Sequence, residues 1–309
     1  MVEPLEWIWM DGKMVPWDQA NVHILTHSLH YGFGAFEGIR AYPHVDGGCA
    51  VFRLEEHIDR LFESAHMCTL DIPFSREEIV EACRQVVIDN ELWEGCYIRP
   101  LVFMGVGAMG LAAMDNPVQV AVVPWRWGAY LGEDGVQNGI RCHVSSYRRA
   151  GPDAMFPKGK ITGQYVTSIL AKRAAIRAGY DEAILLDARG FISEGSGENA
   201  FMVEHGRVRT PFLGETILGG ITRQTVLTIL EDEGVPLFTG PFTRDELYCA
   251  DEVFLTGTAA EITPVREIDD RKIGTGKPGP ITAMVRETYG SVVRGKVERY
   301  AHWLNRIQP

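Results

Sequence analysis

No run of about 18 apolar residues occurs in the chain, so nothing in it is suited to crossing a bilayer as a helix. Positive charge is also scarce: 30 Lys and Arg against 41 Asp and Glu give a formal net charge of −11, which argues against nucleic acid or an anionic membrane as partner. Any anion must then be held by individual, locally placed cations. The six cysteines (Cys49, Cys68, Cys83, Cys96, Cys142 and Cys249) form no Cys-x-x-Cys pair, a usage that fits reduced, mostly buried thiols in a cytoplasmic protein. Glu3 and Glu6 stand where a secretory leader would carry basic and apolar residues, so none is expected. Low-complexity tracts and internal repeats are missing as well. What remains is an ordinary globular chain of 309 residues, 46% hydrophobic and 23% charged, long enough to suggest two domains.

Short-range signals place the elements. Trp7–Met10 and residues 13–15 flank Asp11-Gly12, which supplies the positive φ of a tight hairpin. Residues 53–68 read as an amphipathic helix with Leu54, Ile58, Leu61, Phe62 and Ala65 inward and Arg60 at the edge of that stripe. Residues 75–90 read as a second helix opening on the capping box Ser75-x-x-Glu78. Strands are expected at 96–103 and 117–123. Pro124-Trp125-Arg126-Trp127 and the glycines that follow mark a linker, dividing the chain into a small domain (1–124), a linker (125–135) and a larger domain (136–309). In the larger domain, strands near 139–147, 182–187, 199–204, 235–239, 251–256 and 262–268 alternate with helices near 163–178, 221–233 and 278–294. That pattern predicts an α/β fold of mixed α+β kind, and a hairpin turning at Arg189-Gly190 favours a mixed sheet.

Several motifs invite readings that fail. His23, His27 and His30 lie at helical spacing, but without a His-Glu-x-x-His pattern or a fourth ligand they read as structural histidines, and no metal is expected. Gly105-Val106-Gly107-Ala108-Met109-Gly110 matches the dinucleotide fingerprint, yet Pro117 cuts off any helix that could receive a pyrophosphate. A glycine-rich substrate loop is the better reading. Gly274-Thr275-Gly276-Lys277 lacks the earlier glycine of a P-loop and is followed by Pro278.

Lys160 is different. It leads into an apolar-periodic run in which Val166, Ile169, Leu170 and Ala174 share one face, expected to pack inward, away from Lys172, Arg173 and Arg177. The positive end of a helix dipole disfavours an ammonium at its mouth, and Tyr165 lies about one turn on. Taken alone, Lys160 reads as a solvated surface cation. Its company is Glu194 in Ser193-Glu194-Gly195, Gly219-Gly220-Ile221-Thr222 at a predicted helix start, and Gly257-Thr258-Ala259. Glycines and hydroxyls at a helix N-terminus form a phosphate site, and Arg60 could add full charge. An amine, a carboxylate, a phenol and helix-end amides together describe a receptor for pyridoxal phosphate. Tyr31 to Arg40 alternates glycine with aromatics, either to approach a ligand or to kink a packed strand.

Five stretches carry a resemblance: Tyr31-Gly-x-x-x-Phe36-Glu37-Gly38-Ile39-Arg40, Lys160-x-x-Gly163-x-Tyr165, Ile192-Ser193-Glu194-Gly195-x-Gly197-Glu198-Asn199, Gly220-Ile221-Thr222-Arg223, and Gly257-Thr258-Ala259-Ala260-Glu261-Ile262-Thr263-Pro264-Val265. In this order the chain resembles the branched-chain amino acid aminotransferases, class IV (fold type IV) pyridoxal phosphate enzymes, over nearly its whole length. The resemblance implies a two-domain enzyme with its cofactor, pyridoxal 5'-phosphate, in the interdomain cleft as a Schiff base on Lys160, chosen over Lys158 by the Gly163 and Tyr165 spacing. It further implies Tyr165 at the ring hydroxyl, Glu194 at the ring nitrogen, and Arg60, Ile221, Thr222 and Thr258 at the phosphate. Thr258 and Ala259 would receive the substrate α-carboxylate on their backbone N–H groups. Tyr31, Phe36, Gly38, Arg40, Tyr97, Leu111, Trp127 and Tyr130 would shape the side-chain pocket, and Arg99 would receive the distal carboxylate of glutamate. The implied reaction is transamination of leucine, isoleucine or valine with 2-oxoglutarate. The partners would be small amino and 2-oxo acids and a second copy of the chain, as a dimer or hexamer. D-amino acid or amine transaminases and aminodeoxychorismate lyase share the fold and are the alternatives. A nucleotide- or metal-binding protein is the remote one. Trp125-Arg126 lengthens the linker relative to the family's shorter form.

Overall fold

Asp11 (φ 48°) and Gly12 (φ 91°) both adopt the left-handed backbone of a two-residue hairpin, as the Asp-Gly pair dictates. The turn joins strand β1 (Trp7–Met10) to β2 (Lys13–Pro16), with Ile8 opposite Val15. The computed structural model describes residues 2–128, 133–214 and 216–309. After the hairpin come α1 (His27–Tyr31), β3 (Gly34–Phe36), β4 (Ile39–Pro43), β5 (Cys49–Phe52), α2 (Leu54–Met67), α3 (Arg76–Asp89), β6 (Cys96–Met104) and β7 (Val118–Trp125). Next are α4 (Glu133–Asn138), β8 (Ile140–Arg148), α5 (Tyr165–Arg177), β9 (Glu182–Leu186), β10 (Ile192–Gly195), β11 (Asn199–Glu204), β12 (Arg207–Thr210) and α6 (Ile221–Asp232). The chain closes with β13 (Leu237–Thr239), α7 (Arg244–Tyr248), β14 (Glu252–Gly257), β15 (Glu261–Ile268), β16 (Arg271–Lys272), α8 (Pro280–Val292) and β17 (Leu304–Ile307).

The chain divides into two compact units, but not at a single point. The first holds Met1–Trp127, Gly159–Gly163 and Val292–Pro309; the second holds Gly128–Lys158 and Gln164–Ser291. The main boundary falls inside the expected linker. The expected 136–309 domain is corrected at two places. β17 pairs with β5, Leu304 opposite Phe52 through Ile307 opposite Cys49, which draws the C-terminal residues into the first unit. Residues 159–163 join it through hydrogen bonds to α2 and β3 described below.

In the first unit, the described strands form one antiparallel sheet in the order β17-β5-β4-β6-β7-β1-β2, with β3 also on β6. The apolar stripe of α2 (Leu54, Ile58, Leu61, Ala65) and that of α3 (Ile79, Ala82, Cys83, Val86, Val87) pack with Ile39, Val51, Ile98, Val102 and Val120 of the sheet. The capping box is present: Ser75 Oγ accepts from Glu78 N (3.2 Å) while Glu78 Oε2 accepts from Ser75 N (2.7 Å).

The second unit is built on a mixed sheet, as expected, in the order β10-β9-β8-β15-β14-β11-β12-β13. β8 runs parallel to both β9 and β15. A further pairing of β10 with β11, Glu194 opposite Asn199, closes β10, β9, β8, β15, β14 and β11 into a ring. The turn after β9 has Gly190 at φ 95° and sets Ile192 opposite Leu186, the predicted hairpin. α5 departs from expectation. It buries Ser168, Ala171 and Ala175, with Ala171 and Ala175 against Ala183 and Leu185, and leaves Val166, Ile169, Leu170 and Ala174 outward. Small residues let the helix lie close to the sheet, and Lys172 stays on that side because its ammonium pairs with Glu182, a fully buried carboxylate.

The glycine run at 105–110 leads into no helix. It is a turn pinned by Asn116, whose Oδ1 accepts from Ala108 N (2.8 Å) and whose Nδ2 donates to Ala108 O (3.0 Å). His27 Nε2 and His30 Nε2 face the carbonyls of Gly110 (3.0 Å) and Ile24 (2.8 Å), and His23 Nδ1 accepts from Leu25 N (3.1 Å). These are backbone partners rather than a ligand set.

Candidate active site

In the first unit the site is built around Lys160. Its backbone is fixed on both sides: Lys160 N donates to Ser64 Oγ (2.9 Å), and Lys160 O accepts from Phe36 N (3.1 Å). Ser64, one turn after Arg60 on α2, donates in turn to Arg60 O (2.7 Å). Thr162 Oγ1 bonds to the carbonyls of Gly32 (2.5 Å) and Gly34 (3.2 Å), and Ile161 bridges to Ala35. The lysine stem is half-buried and its Nζ lies 4.8 Å from the centroid of the Phe36 ring, whereas Lys158 is exposed. Lys160 is thus five residues ahead of α5, so its setting comes from Ser64, Phe36 and their neighbours rather than from the first turn of that helix, where a dipole acts.

Arg60 is held by a residue that the motif contained but the sequence did not single out. Glu37, fully buried, accepts from Arg60 Nε at Oε1 (2.7 Å) and from Nη2 at Oε2 (2.8 Å). His57 Nδ1 lies 2.7 Å from Oε2. Burial alone would push the Glu37 carboxyl up, but Arg60 and His57 outweigh it and hold it well below the usual carboxylate range. Burial pushes His57 down; Glu37 pulls it back only in part, and the charges of Arg60 and Lys160 add to the fall. The imidazole is therefore neutral near pH 7, with its Nδ1 proton directed at Glu37. A charged residue between Phe36 and Gly38-Ile39 was the signal that could have found this pair.

Beside these lies an aromatic box around Arg99. Its guanidinium carbon is 4.7 Å from the Phe36 ring centroid and 5.4 Å from those of Tyr97 and Trp125. Tyr97 packs against Trp125 and Trp127, each at 4.7 Å. Gly38 belongs here because of Tyr97, and Arg40 Nη2 holds the Trp127 carbonyl (3.4 Å). Trp125 was expected only as linker, yet it ends β7 inside this box. Tyr31, whose ring lies 4.5 Å from that of the buried His27, and Leu111 are both exposed. Tyr130 lies outside the described residues.

In the second unit Glu194, 6% exposed, is held on both oxygens. Oε1 pairs with Arg149 Nη2 (2.8 Å), and Oε2 accepts from Asn199 Nδ2 (3.1 Å) and Leu218 N (3.0 Å). Arg149 was missed in the sequence because it is 45 positions from its partner. Asn199 Nδ2 also reaches Leu218 O (2.9 Å), a bridge that requires a glycine at 220, where a Cβ would meet Asn199 Oδ1 at 2.0 Å. Gly220 is the N-cap of α6 and offers no side chain to cap it, and the helix starts at Ile221 and Thr222, the end where a dipole favours negative charge. Thr258 and Ala259 form the turn between β14 and β15, with Gly257 close enough that a Cβ would touch Gly197 O at 3.2 Å. Tyr165 is the first residue of α5 and is half-buried.

Each unit carries groups of the kind that a phosphorylated pyridine aldehyde would use: the first an amine and a guanidinium, the second a fixed carboxylate and a helix start. Among the described residues, Arg99 Nε and Thr256 Oγ1, just before the 257–259 turn, are buried without a hydrogen-bond partner, as groups that wait for a ligand would be. No cluster of three or more His, Cys, Asp or Glu able to hold a metal occurs among the described residues.

Comparison with known proteins agrees. Residues 34–268 match the family amino-transferase class IV. The chain is 49% identical to the branched-chain-amino-acid aminotransferase of Pseudomonas aeruginosa, covering 96% of this chain and 95% of that protein. It is 41% identical to that of Escherichia coli over 98% and 97%. Among solved structures, the T.th. branched-chain amino acid aminotransferase with pyridoxamine 5'-phosphate superposes with a TM-score of 0.95 at 46% identity, covering 99% of each chain. The same protein with N-(5'-phosphopyridoxyl)-L-glutamate gives 0.91 at 44%, covering 98% of each. With the motifs, the fold and these relatives in accord, the chain belongs to the class IV aminotransferases.

Proposed function

We propose that this protein transfers the amino group of leucine, isoleucine or valine to 2-oxoglutarate, using pyridoxal 5'-phosphate attached to Lys160. The observation that carries the reading is the fixed, half-buried Lys160, backed by the Glu37-bound Arg60, in a chain so similar to branched-chain aminotransferases. Bound there, pyridoxal phosphate supplies an aldehyde that takes up the amino group and a ring that withdraws electrons from the substrate Cα. The protein's share is binding and proton handling. Lys160 Nζ takes the Cα proton and returns it to the cofactor side. Glu194, kept beside Arg149 and bonded by Asn199 and Leu218, offers an anionic oxygen to the ring nitrogen. Tyr165 would meet the ring hydroxyl, and Arg60, Thr258 and the amides of Ile221 and Thr222 would hold the phosphate.

Two kinds of substrate must share one pocket. Phe36, Tyr97 and Trp127 offer apolar wall to an isobutyl chain, with Gly38 and Arg40 setting the positions of Tyr97 and Trp127. Arg99, already lying against three rings, offers a planar fork to the distal carboxylate of glutamate. The α-carboxylate is assigned to the N–H groups of Thr258 and Ala259, and Tyr31, Leu111 and Tyr130 to the rim. Self-association is supported by apolar residues left outward, Ile24, Leu29, Leu111 and Met114 in the first unit and the α5 stripe in the second. No described helix is long and apolar enough to cross a membrane. Six unpaired cysteines, five of them buried, support a reducing, cytoplasmic setting.

Borohydride reduction of the holoenzyme followed by peptide mapping should place the pyridoxyl mass on Lys160, and Lys160→Ala should abolish turnover of L-leucine with 2-oxoglutarate. A label on Lys158, or turnover by the variant, would overturn the assignment.

A further inference from the structure

We propose that Glu37 is a positioning residue that, with His57, fixes the orientation of the Arg60 guanidinium and thereby sets how tightly the site grips a phosphate ester. The inference rests on the reading that Arg60 faces the cofactor phosphate. Arg60 projects from α2 on a long side chain that is 11% exposed, and an arginine so nearly buried needs a fixed partner to stay in one rotamer. Glu37 provides it in a side-on fork: Nε to Oε1 and Nη2 to Oε2, with both contacts under 3 Å. Such a fork consumes two of the five guanidinium N–H groups and turns the end carrying the other three away from the carboxylate.

Glu37 is itself held. Its Oε2 also accepts from His57 Nδ1 (2.7 Å) and from Gly38 N (3.2 Å), so neither the carboxylate nor the guanidinium can swing without breaking a second bond. Because the imidazole is neutral, the triad carries one negative and one positive charge. Arg60 therefore contributes to phosphate binding through direction rather than through excess charge. The same residues also hold the amine: Phe36, next to Glu37, bonds Lys160 O, while Ser64 connects Lys160 N to Arg60 O. The phosphate-facing guanidinium and the lysine backbone are thus referred to one frame, β3 and α2.

The test uses two probes on the full chain, pyridoxal phosphate and unphosphorylated pyridoxal, with dissociation constants measured by equilibrium dialysis. Glu37→Gln should raise the constant for pyridoxal phosphate tenfold or more and leave that for pyridoxal within about twofold. Arg60→Ala should do the same, and Glu37→Gln added to Arg60→Ala should cost nothing further, since the two act as one unit. Should Glu37→Gln not fold, Glu37→Asp, which keeps the charge but is too short to span both nitrogens, should show the same selectivity at a smaller factor. Equal losses for both probes would mean a purely structural role and overturn the proposal. Unchanged or tighter phosphate binding in the Glu37 variants, with Arg60→Ala impaired, would also overturn it. If Arg60→Ala binds pyridoxal phosphate normally, the reading of Arg60 itself falls, and the proposal with it.

Discussion

Gly38 and Tyr97 occupy one space: a Cβ built on Gly38 would fall 1.8 Å from Tyr97 Oη. The phenol can lie there only because residue 38 has no side chain, and its ring then meets Trp125 and Trp127 while Oη lies 3.4 Å from Arg99 Nη2. Gly38→Ala should displace Tyr97 and, with it, the box around Arg99. Since a misplacement of about 1 Å can cost a hundredfold, kcat/KM for both leucine and glutamate is expected to fall at least tenfold or so. Steady-state kinetics with each donor checks this. Retained activity toward both would show that Tyr97 does not shape the pocket.

A second expectation concerns the carboxylate of the second unit. Arg149 pairs with Glu194 Oε1 at 2.8 Å, leaving Oε2 to Asn199 and Leu218. Arg149→Met removes the cation while keeping much of the side-chain bulk, so Glu194 loses the charge that favours its ionised form. Transaminase kcat should drop about tenfold to a hundredfold with cofactor still bound, a loss typical of removing one fixed electrostatic group. Stopped-flow measurement of each half-reaction on holoenzyme separates this from weakened substrate binding. An unaltered rate would mean that Glu194 needs no such support.

Glu198, 4% exposed, gives the fold an unusual pH response. Burial first, then the charge of Glu182, pushes its carboxyl from 4.5 up to about 8, against the opposing pull of Lys172 and the Gly197 N–H. Between about pH 4.5 and 8 the folded protein therefore keeps a proton that the unfolded chain has already released. The contribution of this group is at its fullest below the lower value and is lost as pH rises through the upper one. Glu198→Gln should flatten that slope, so the Tm advantage of the variant over the natural protein should grow from pH 5 to pH 9, at ~2–4 °C for each kcal/mol recovered. Calorimetry across that range at saturating cofactor decides it. A constant Tm difference would show that Glu198 does not hold its proton. Glu37 has the opposite sign: its ionised form stabilises the fold above the ordinary carboxylate range, and that contribution is lost only in acid.

What the sequence reveals follows from the range of each interaction. Asp11-Gly12, the Ser75 and Glu78 capping box and the apolar stripe of α2 are set by residues within one or two turns of each other, and each folds as read. Lys160 and Glu194, in motifs, and Arg60, at the edge of the α2 stripe, are expected as site residues from the sequence. Their supports are not, because Glu37, Ser64 and Arg149 reach them from distances along the chain that no local pattern encodes. The division into units escaped for the same reason, since nothing near Leu304 announces that it will pair with Phe52. In α5 the period was right and the partner wrong: an apolar stripe shows that a face prefers burial, without naming what covers it.

That misread helix leads to a direct test. Val166 is 59% exposed, Ile169 48% and Leu170 43%, a run of large aliphatics at helical spacing outside a unit whose own sheet is served by Ser168, Ala171 and Ala175. If a second copy of the chain covers this face, a charge placed in its middle should be tolerated by the single chain and not by the assembly. Within one chain, Ile169→Lys alters an exposed position and should change intrinsic stability by no more than ~0.5 kcal/mol. In an assembly it would bury an unpaired ammonium, which costs several times more. Multi-angle light scattering on the purified variant should therefore show a shift toward monomer in proportion to dilution, with far-ultraviolet circular dichroism unchanged. A variant that assembles as the natural protein does would place the contact elsewhere, and Leu111→Glu in the first unit, where Leu111 is 92% exposed, would then be the substitution expected to dissociate it.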